Sequence, residues 1–172
     1  SIDEDKIKLN IQKCDLSKII TEMFIIFKPI AASKSINFNL DLPSKLDIKA
    51  DPIRLDQILR IFVDNAIKYS EENSTISIKV LQNYTGKFNP DQKPGHLIEI
   101  KDDGIGISDA DKEFIFERFF RSEDVIKTPG SGLGLSIAQD LIDLHQGEVF
   151  LETEEGKGTT FSIFIPSNLP LT

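Results

Sequence analysis

Asn65, Lys68 and Tyr69 fall close together in Asp51 to Ser70, a segment whose apolar residues recur at helical spacing. A polar amide at the edge of an apolar stripe, with a lysine and a tyrosine a turn on, is a first sign of a site. Taken alone it reads more simply as an amphipathic helix whose Asn65 meets water. The next signal is Asp102-Asp103-Gly104-Ile105-Gly106-Ile107, directly after a strand-like run. Glycines spaced by one residue allow a tight turn and close backbone approach to a ligand. An acid at a strand end can accept a hydrogen bond from an exocyclic amine such as adenine N6; a capping aspartate in a glycine-rich turn has the same sequence. A third stretch, Gly130-Ser131-Gly132-Leu133-Gly134-Leu135-Ser136, runs into a helical pattern. Free N–H groups and the positive end of a helix suit phosphate there, although a flexible linker is also glycine-rich. Neither glycine stretch has the spacing of a P-loop or a dinucleotide-binding fingerprint. Between them, Phe116, Phe119 and Phe120 are interleaved with Arg118 and Arg121. These phenylalanines suit either a plain core or the anchor of a mobile lid, and the arginines either phosphate or solvent.

Elements to position these residues can be read in order. Asp51 suits an N-cap and Pro52 the first helical position, and Leu55, Ile58, Leu59, Phe62, Ala66 and Tyr69 form one stripe. Before this helix come an alternating strand over Lys8 to Asp15, a helix from Leu16 to about Lys34 that Pro29 is expected to bend or end early, a strand over Ile36 to Leu42, and another over Asp47 to Ala50. After it, Thr75 to Leu81 and Leu97 to Asp102 read as strands flanking an exposed hairpin loop, Asn83 to Gly95. A short helix is expected around Lys112 to Phe120, and a longer one from about Leu133 to His145 with Gly147 as C-cap. Glu148 to Thr153 and Thr159 to Ile165 close the chain as a hairpin. Without a regular βαβ rhythm, the economical architecture is a two-layer α/β sandwich: a mixed, mostly antiparallel sheet with helices on one face.

The 172 residues fit one domain able to bury roughly 70% of its unfolded surface. A net charge of −8 argues against nucleic acid and means that an anionic ligand needs a metal ion or local cations. No apolar run approaches the roughly 20 residues that cross a bilayer, so no membrane contact by this domain is expected. Cys14 is a lone cysteine suited to a small core position, and two histidines are too few for a zinc site. The chain starts at Ser1 rather than methionine, which reads as a fragment of something longer.

The order of the motifs is more specific than any one of them. A helix with Asn65, Lys68 and Tyr69, then Asp102-x-Gly-x-Gly, then the phenylalanine cluster, then Gly130-Ser131-Gly132-Leu133-Gly134-Leu135 resembles the N, G1, F and G2 boxes of sensor histidine kinases. The resemblance is to their catalytic, ATP-binding domain (the Bergerat fold shared with gyrase, the ninety-kilodalton heat-shock chaperone and the mismatch-repair ATPase). It covers about Lys8 to Pro166; Asp51-Pro52, Glu71, His145-Gln146-Gly147 and Gly156-Lys157-Gly158-Thr159-Thr160-Phe161 also match. By that resemblance the cofactors are ATP and Mg²⁺, with Asn65 the metal ligand, Lys68 on phosphate, Tyr69 against adenine and Asp102 taking the adenine amine. Gly104 and Gly106 would let the backbone close around the base, and Gly130, Gly132, Gly134 and Leu135 would offer N–H groups to phosphates. Ile107, Ser131 and Leu133 would line the same site, and Arg118 and Arg121 would swing toward the γ-phosphate from a lid over about Ser108 to Pro129.

One departure stands out. Ile61 occupies the position where many kinases carry a second asparagine and related ATPases a catalytic glutamate, which implies poor intrinsic hydrolysis. Neither His96, before Leu97, nor His145, before Gln146, sits in the His-Glu or His-Asp setting of a phosphoacceptor. The resemblance therefore implies residues 1–10 as the tail of a linker and 11–172 as the catalytic domain. Its partners would be a dimerisation and histidine-phosphotransfer domain of the same protein and, through the full-length kinase, a response regulator receiver domain. The expected location is cytoplasmic, whether or not the full-length protein is membrane-anchored. The alternative is a nucleotide-binding regulatory module of the same fold without phosphotransfer; a gyrase-type ATPase is disfavoured by Ile61, and an anti-sigma-type serine kinase by the phenylalanine box and long lid.

Overall fold

In the computed structural model, residues 7–118, 120 and 134–172 are described. A five-stranded sheet carries three longer helices, and a two-stranded sheet lies apart from it. The small sheet pairs β1 (Gln12–Asp15) antiparallel with β3 (Asp47–Ala50). The main sheet contains β2 (Asn37–Asp41), β4 (Thr75–Leu81), β5 (Gly95–Asp102), β6 (Glu148–Glu154) and β7 (Gly158–Pro166), in the spatial order β2-β4-β5-β7-β6. Only β2, at one edge, pairs parallel; its neighbours are antiparallel throughout. This is the expected mixed, mostly antiparallel sheet.

The helices are α1 (Leu16–Ser33), α2 (Pro52–Tyr69), the single-turn α3 (Asp109–Lys112) and α4 (Gly134–Leu144). Asp15 caps α1 and Asp51 caps α2, each carboxylate accepting from two N–H groups of its helix's first turn. Alternation in β4 sends Ile76, Ile78 and Val80 to one side. There they meet the row Ile98 and Ile100 of β5, Phe161, Ile163 and Ile165 of β7, and the apolar stripes of α1, α2 and α4. Phe62 of α2 lies against Phe161 of β7, their ring centroids 4.9 Å apart.

Several local expectations change. Pro29 lies inside α1, which continues to Ser33: the tertiary packing of Phe27 and Ala31 outweighs one lost ladder bond. The short helix begins earlier and is shorter than expected, because Ser108 caps it by accepting from Asp111 N–H and no apolar period sustains it. After α4 the left-handed residue is Gln146, at φ 58°, rather than Gly147. Gly147 is needed for another reason: a Cβ there would overlap the carbonyl oxygen of Phe164 on β7.

The segment 82–94 is the expected hairpin connection between β4 and β5 and is mostly exposed, but it has an internal anchor. Buried Asn89 donates to the carbonyls of Tyr84 and Lys93 and accepts from Lys93 N–H, so it organises the segment from within. Phe88 then packs on Phe150 of β6 at 4.4 Å between centroids.

Candidate functional site

The site grows from the C-terminal half of α2. Asn65 and Lys68 are half-buried at the border of its apolar stripe, as is Tyr69 in its last turn. Lys68 Nζ lies 2.9 Å from the Asp64 carboxylate, a partly exposed pair one helical turn apart. Such pairs contribute only about 0.3–0.5 kcal/mol, so a phosphate could displace Asp64 with little loss. Lys34, just beyond α1, donates to the carbonyl of Ile67 at 2.5 Å and places a cation at the negative end of α2.

The end of α2 touches the loop after β5. Ile105 N–H donates to the Tyr69 carbonyl at 3.3 Å, and a Cβ on Gly104 would overlap that same oxygen. Only glycine allows this approach. Gly106 has φ 70°, in the left-handed region, and faces the carbonyl of Glu154 across the β6–β7 turn.

Asp102 ends an apolar row. Alternation along β5 puts Ile98, Ile100 and Asp102 on the helix side of the sheet, and Asp102 is 4% exposed. Its Oδ1 accepts from Gly104 N–H at 2.9 Å. Burial raises its pKa to about 6; the N–H groups of Gly104 and Thr159 oppose the rise and the charge of Asp103 adds to it. A buried carboxyl with so few protein partners, beside a glycine cradle, fits recognition of a polar edge such as an adenine amine.

The third element is α4. Its first residue, Gly134, faces Ile61 of α2, whose Cγ2 would lie 3.4 Å from a Cβ on Gly134. Leu135 is half-buried and packs on the core. The N-terminus of α4 therefore stands one turn from Asn65. Ile107, Ile115 and Phe116 join the core edge, with the Phe116 ring edge-on to Phe161 at 6.1 Å. Arg118 is exposed. Phe119, Arg121, Gly130, Ser131, Gly132 and Leu133 lie outside the described residues.

The donor set near Asn65 is lean. Among the described residues, no group of three or more His, Cys, Asp or Glu could hold a metal ion. A single amide oxygen fits an ion that keeps most of its ligands from phosphate and water, as Mg²⁺ commonly does, and does not fit an all-protein cage.

A family model described as histidine kinase-, DNA gyrase B- and HSP90-like ATPase matches residues 50–169, which span α2, the glycine loops and the closing hairpin. The chain belongs to this ATPase family. It is an ATP-binding catalytic domain of the histidine kinase kind. The signal transduction histidine-protein kinase ArlS of Staphylococcus aureus is 44% identical over 129 residues, which cover 73% of this chain and 27% of that protein. The chain thus spans about a quarter of the curated relatives it matches. Among solved structures, the catalytic domain of histidine kinase ThkA is similar at 30% identity and a TM-score of 0.77, over 92% of this chain and 97% of that one. ThkA in complex with the response regulator protein TrrA is similar at 28% identity and a TM-score of 0.73, over 92% of this chain and 42% of that one.

Thus the fold brings Asp102, Gly104 and Gly134 to the part of α2 that carries Asn65, Lys68 and Tyr69. Sequence reasoning misses Lys34 and Thr153. Lys34 carries no local signal, and Thr153 shows only as one polar residue in an alternating strand.

Proposed function

We propose that this chain serves a sensor kinase as the unit that binds Mg·ATP and passes the γ-phosphoryl group to a histidine on a separate dimerisation domain. The observation that carries the reading is the convergence on α2 of a buried acid, a glycine cradle and a helix N-terminus, in a chain of this ATPase family. Asp102 accepts the adenine amine, while Tyr69, Gly104, Gly106 and Ile107 enclose the base. Lys68 leaves Asp64 for phosphate, and N–H groups of Gly130, Gly132, Gly134 and Leu135 cradle the phosphate chain, where the helix end favours negative charge. Asn65 offers its amide oxygen to Mg²⁺, which when bound neutralises charge on the phosphates. Arg118 and Arg121 approach the γ-phosphate from the lid.

In the transfer itself an imidazole nitrogen of the partner domain bonds to the γ-phosphorus as the bond to the bridging oxygen breaks and ADP leaves. Positioning and charge neutralisation account for most of the rate. Ile61 supports transfer over hydrolysis, since its side chain can neither take a proton from water nor orient it. On this reading residues 1–10 belong to a linker and 11–172 to the catalytic domain. The downstream partner is a response regulator, as in the ThkA complex with TrrA, and the domain works in the cytoplasm. No helix among the described residues is long and apolar enough to cross a membrane.

The test is to mix the chain with a dimerisation domain carrying its histidine and Mg·ATP, and to assay acid-labile phosphohistidine. Label on the histidine, lost when Asn65 is replaced by alanine, is the expected result. Nucleotide binding without any transfer would favour the regulatory module, the reading that Ile61 also allows.

A further inference from the structure

Across the end of the sheet nearest the site runs a row of polar side chains on the helix face. The register pairs Asp102 of β5 with Thr159 of β7, and Thr159 with Thr153 of β6. The Thr153 hydroxyl is the hub of this row. It accepts from Ile107 N–H at 2.9 Å, donates to the Gly158 carbonyl at 2.9 Å and lies 2.9 Å from the Thr159 hydroxyl. A hydroxyl has one proton and two lone pairs, so these partners use its full capacity. If Thr153 gives its proton to Gly158, its second lone pair accepts from Thr159.

The same turn holds the loop at a second point, where Gly156 N–H donates to the Ile105 carbonyl at 2.7 Å. Close approaches complete the clasp. A Cβ on Gly158 would overlap the Asp102 carbonyl, and one on Gly106 the Glu154 carbonyl. The loop from Asp102 to Ile107 is thus held on one side by Tyr69 of α2 and on the other by the β6–β7 turn. Thr153 reaches the loop backbone with its side chain, where Tyr69 and Gly156 use backbone groups.

We propose that Thr153 is a positioning residue for nucleotide binding: its hydroxyl pins Ile107 to the β6–β7 turn and so sets the glycine loop that encloses the base. The inference rests on the nucleotide-site reading above. Thr153 itself stands behind the loop and acts through Ile107 and Thr159. Removing the hydroxyl leaves the Ile107 N–H and the Gly158 carbonyl without their partner, and the loop reaches its binding geometry only in a fraction of molecules.

The experiment is isothermal titration of the full 172-residue chain with Mg²⁺ and a non-hydrolysable ATP analogue, together with amide exchange by NMR. Thr153→Val keeps the branched shape that suits a strand and should weaken binding roughly five- to thirtyfold, the effect of one or two lost hydrogen bonds. Thr153→Ser should bind within about twofold of the parent, because it restores the same bonds. In the parent without nucleotide, the Ile107 amide should exchange far more slowly than the exposed amide of Asp109. Unchanged affinity in Thr153→Val, or failure of serine to restore it, overturns the proposal. So does a freely exchanging Ile107 amide, which needs no variant to fold. Asp102→Ala serves as the separate control. If it binds as the parent does, or if the parent binds no nucleotide, the site reading falls and the Thr153 role with it, even where Ile107 is protected.

Discussion

The backbone N–H of Asp51 donates to Nε2 of His145 at 3.2 Å, tying the cap of α2 to the far end of α4. The ring's other nitrogen, Nδ1, lies 2.8 Å from the Leu141 carbonyl, so the neutral tautomer protonated there satisfies both sides. Asp51 meanwhile caps α2 through Oδ1 and accepts from Asn10 N–H through Oδ2. The two helices that carry the site are therefore joined at the ends away from it.

His145→Ala should cost about 2–4 kcal/mol, from the cavity and the unpaired Asp51 N–H. Denaturant unfolding at neutral pH measures it. Burial also lowers the His145 pKa below its usual 6.5, with the Leu141 carbonyl and Asp51 opposing. The folded protein then binds fewer protons there than the unfolded one. This contribution to stability is full above pH 6.5 and is lost as pH falls through the lowered value.

Asp102 has the opposite sign. Its folded pKa is raised to about 6 from 3.8, so its contribution is most favourable below about pH 3.8 and is lost as pH rises toward 6. The difference is about 3 kcal/mol at 1.36 kcal/mol per pKa unit. Asp102→Asn keeps an oxygen for Gly104 and carries no charge. It should melt higher than the parent at pH 8, with the gap closing toward pH 4, while nucleotide binding drops at least about tenfold. A variant no more stable at pH 8 would count against the buried charge as a cost.

Glycines 104 and 134 should differ. A methyl on Gly104 meets the Tyr69 carbonyl, a backbone atom that cannot swing away, whereas one on Gly134 stands 3.4 Å from Ile61 Cγ2. Gly104→Ala is expected to lose nucleotide binding and stability together, and Gly134→Ala to keep its melting temperature, since its methyl would stand at ordinary van der Waals distance from Ile61 at the first residue of α4. Thermal melts with and without nucleotide compare the two.

Lys68→Ala should change stability by less than about 0.5 kcal/mol, because its pair with Asp64 is partly exposed. Its effect should appear instead as weaker binding of ATP relative to adenosine. Equal losses for both ligands would remove Lys68 from the phosphates.

Ile61→Glu should not by itself create an efficient ATPase. A lone carboxylate facing the first residue of α4 lacks, among the described residues, a neighbour placed to raise its basicity or hold a water. Phosphate release by the isolated chain is the measurement, and turnover well above the parent's would reverse the view of this position.

Much of the fold was legible in the chain itself. Period-two alternation marked β4 and β5, period 3.6 marked α2, and Asp51-Pro52 marked its start, because these signals depend only on neighbours along the chain. The order of the glycine and asparagine motifs was enough to point to the family. Tertiary structure decided what local pattern cannot carry. Packing kept α1 helical through Pro29, and Asn89 braced the exposed 82–94 loop from within through the carbonyls of Tyr84 and Lys93. Register alone set Thr153, Thr159 and Asp102 side by side, although more than fifty residues separate Asp102 from the other two. Asp102 looked like a strand-end acid in the sequence; its burial, and so its raised pKa, exists only once α2 and β7 close around it.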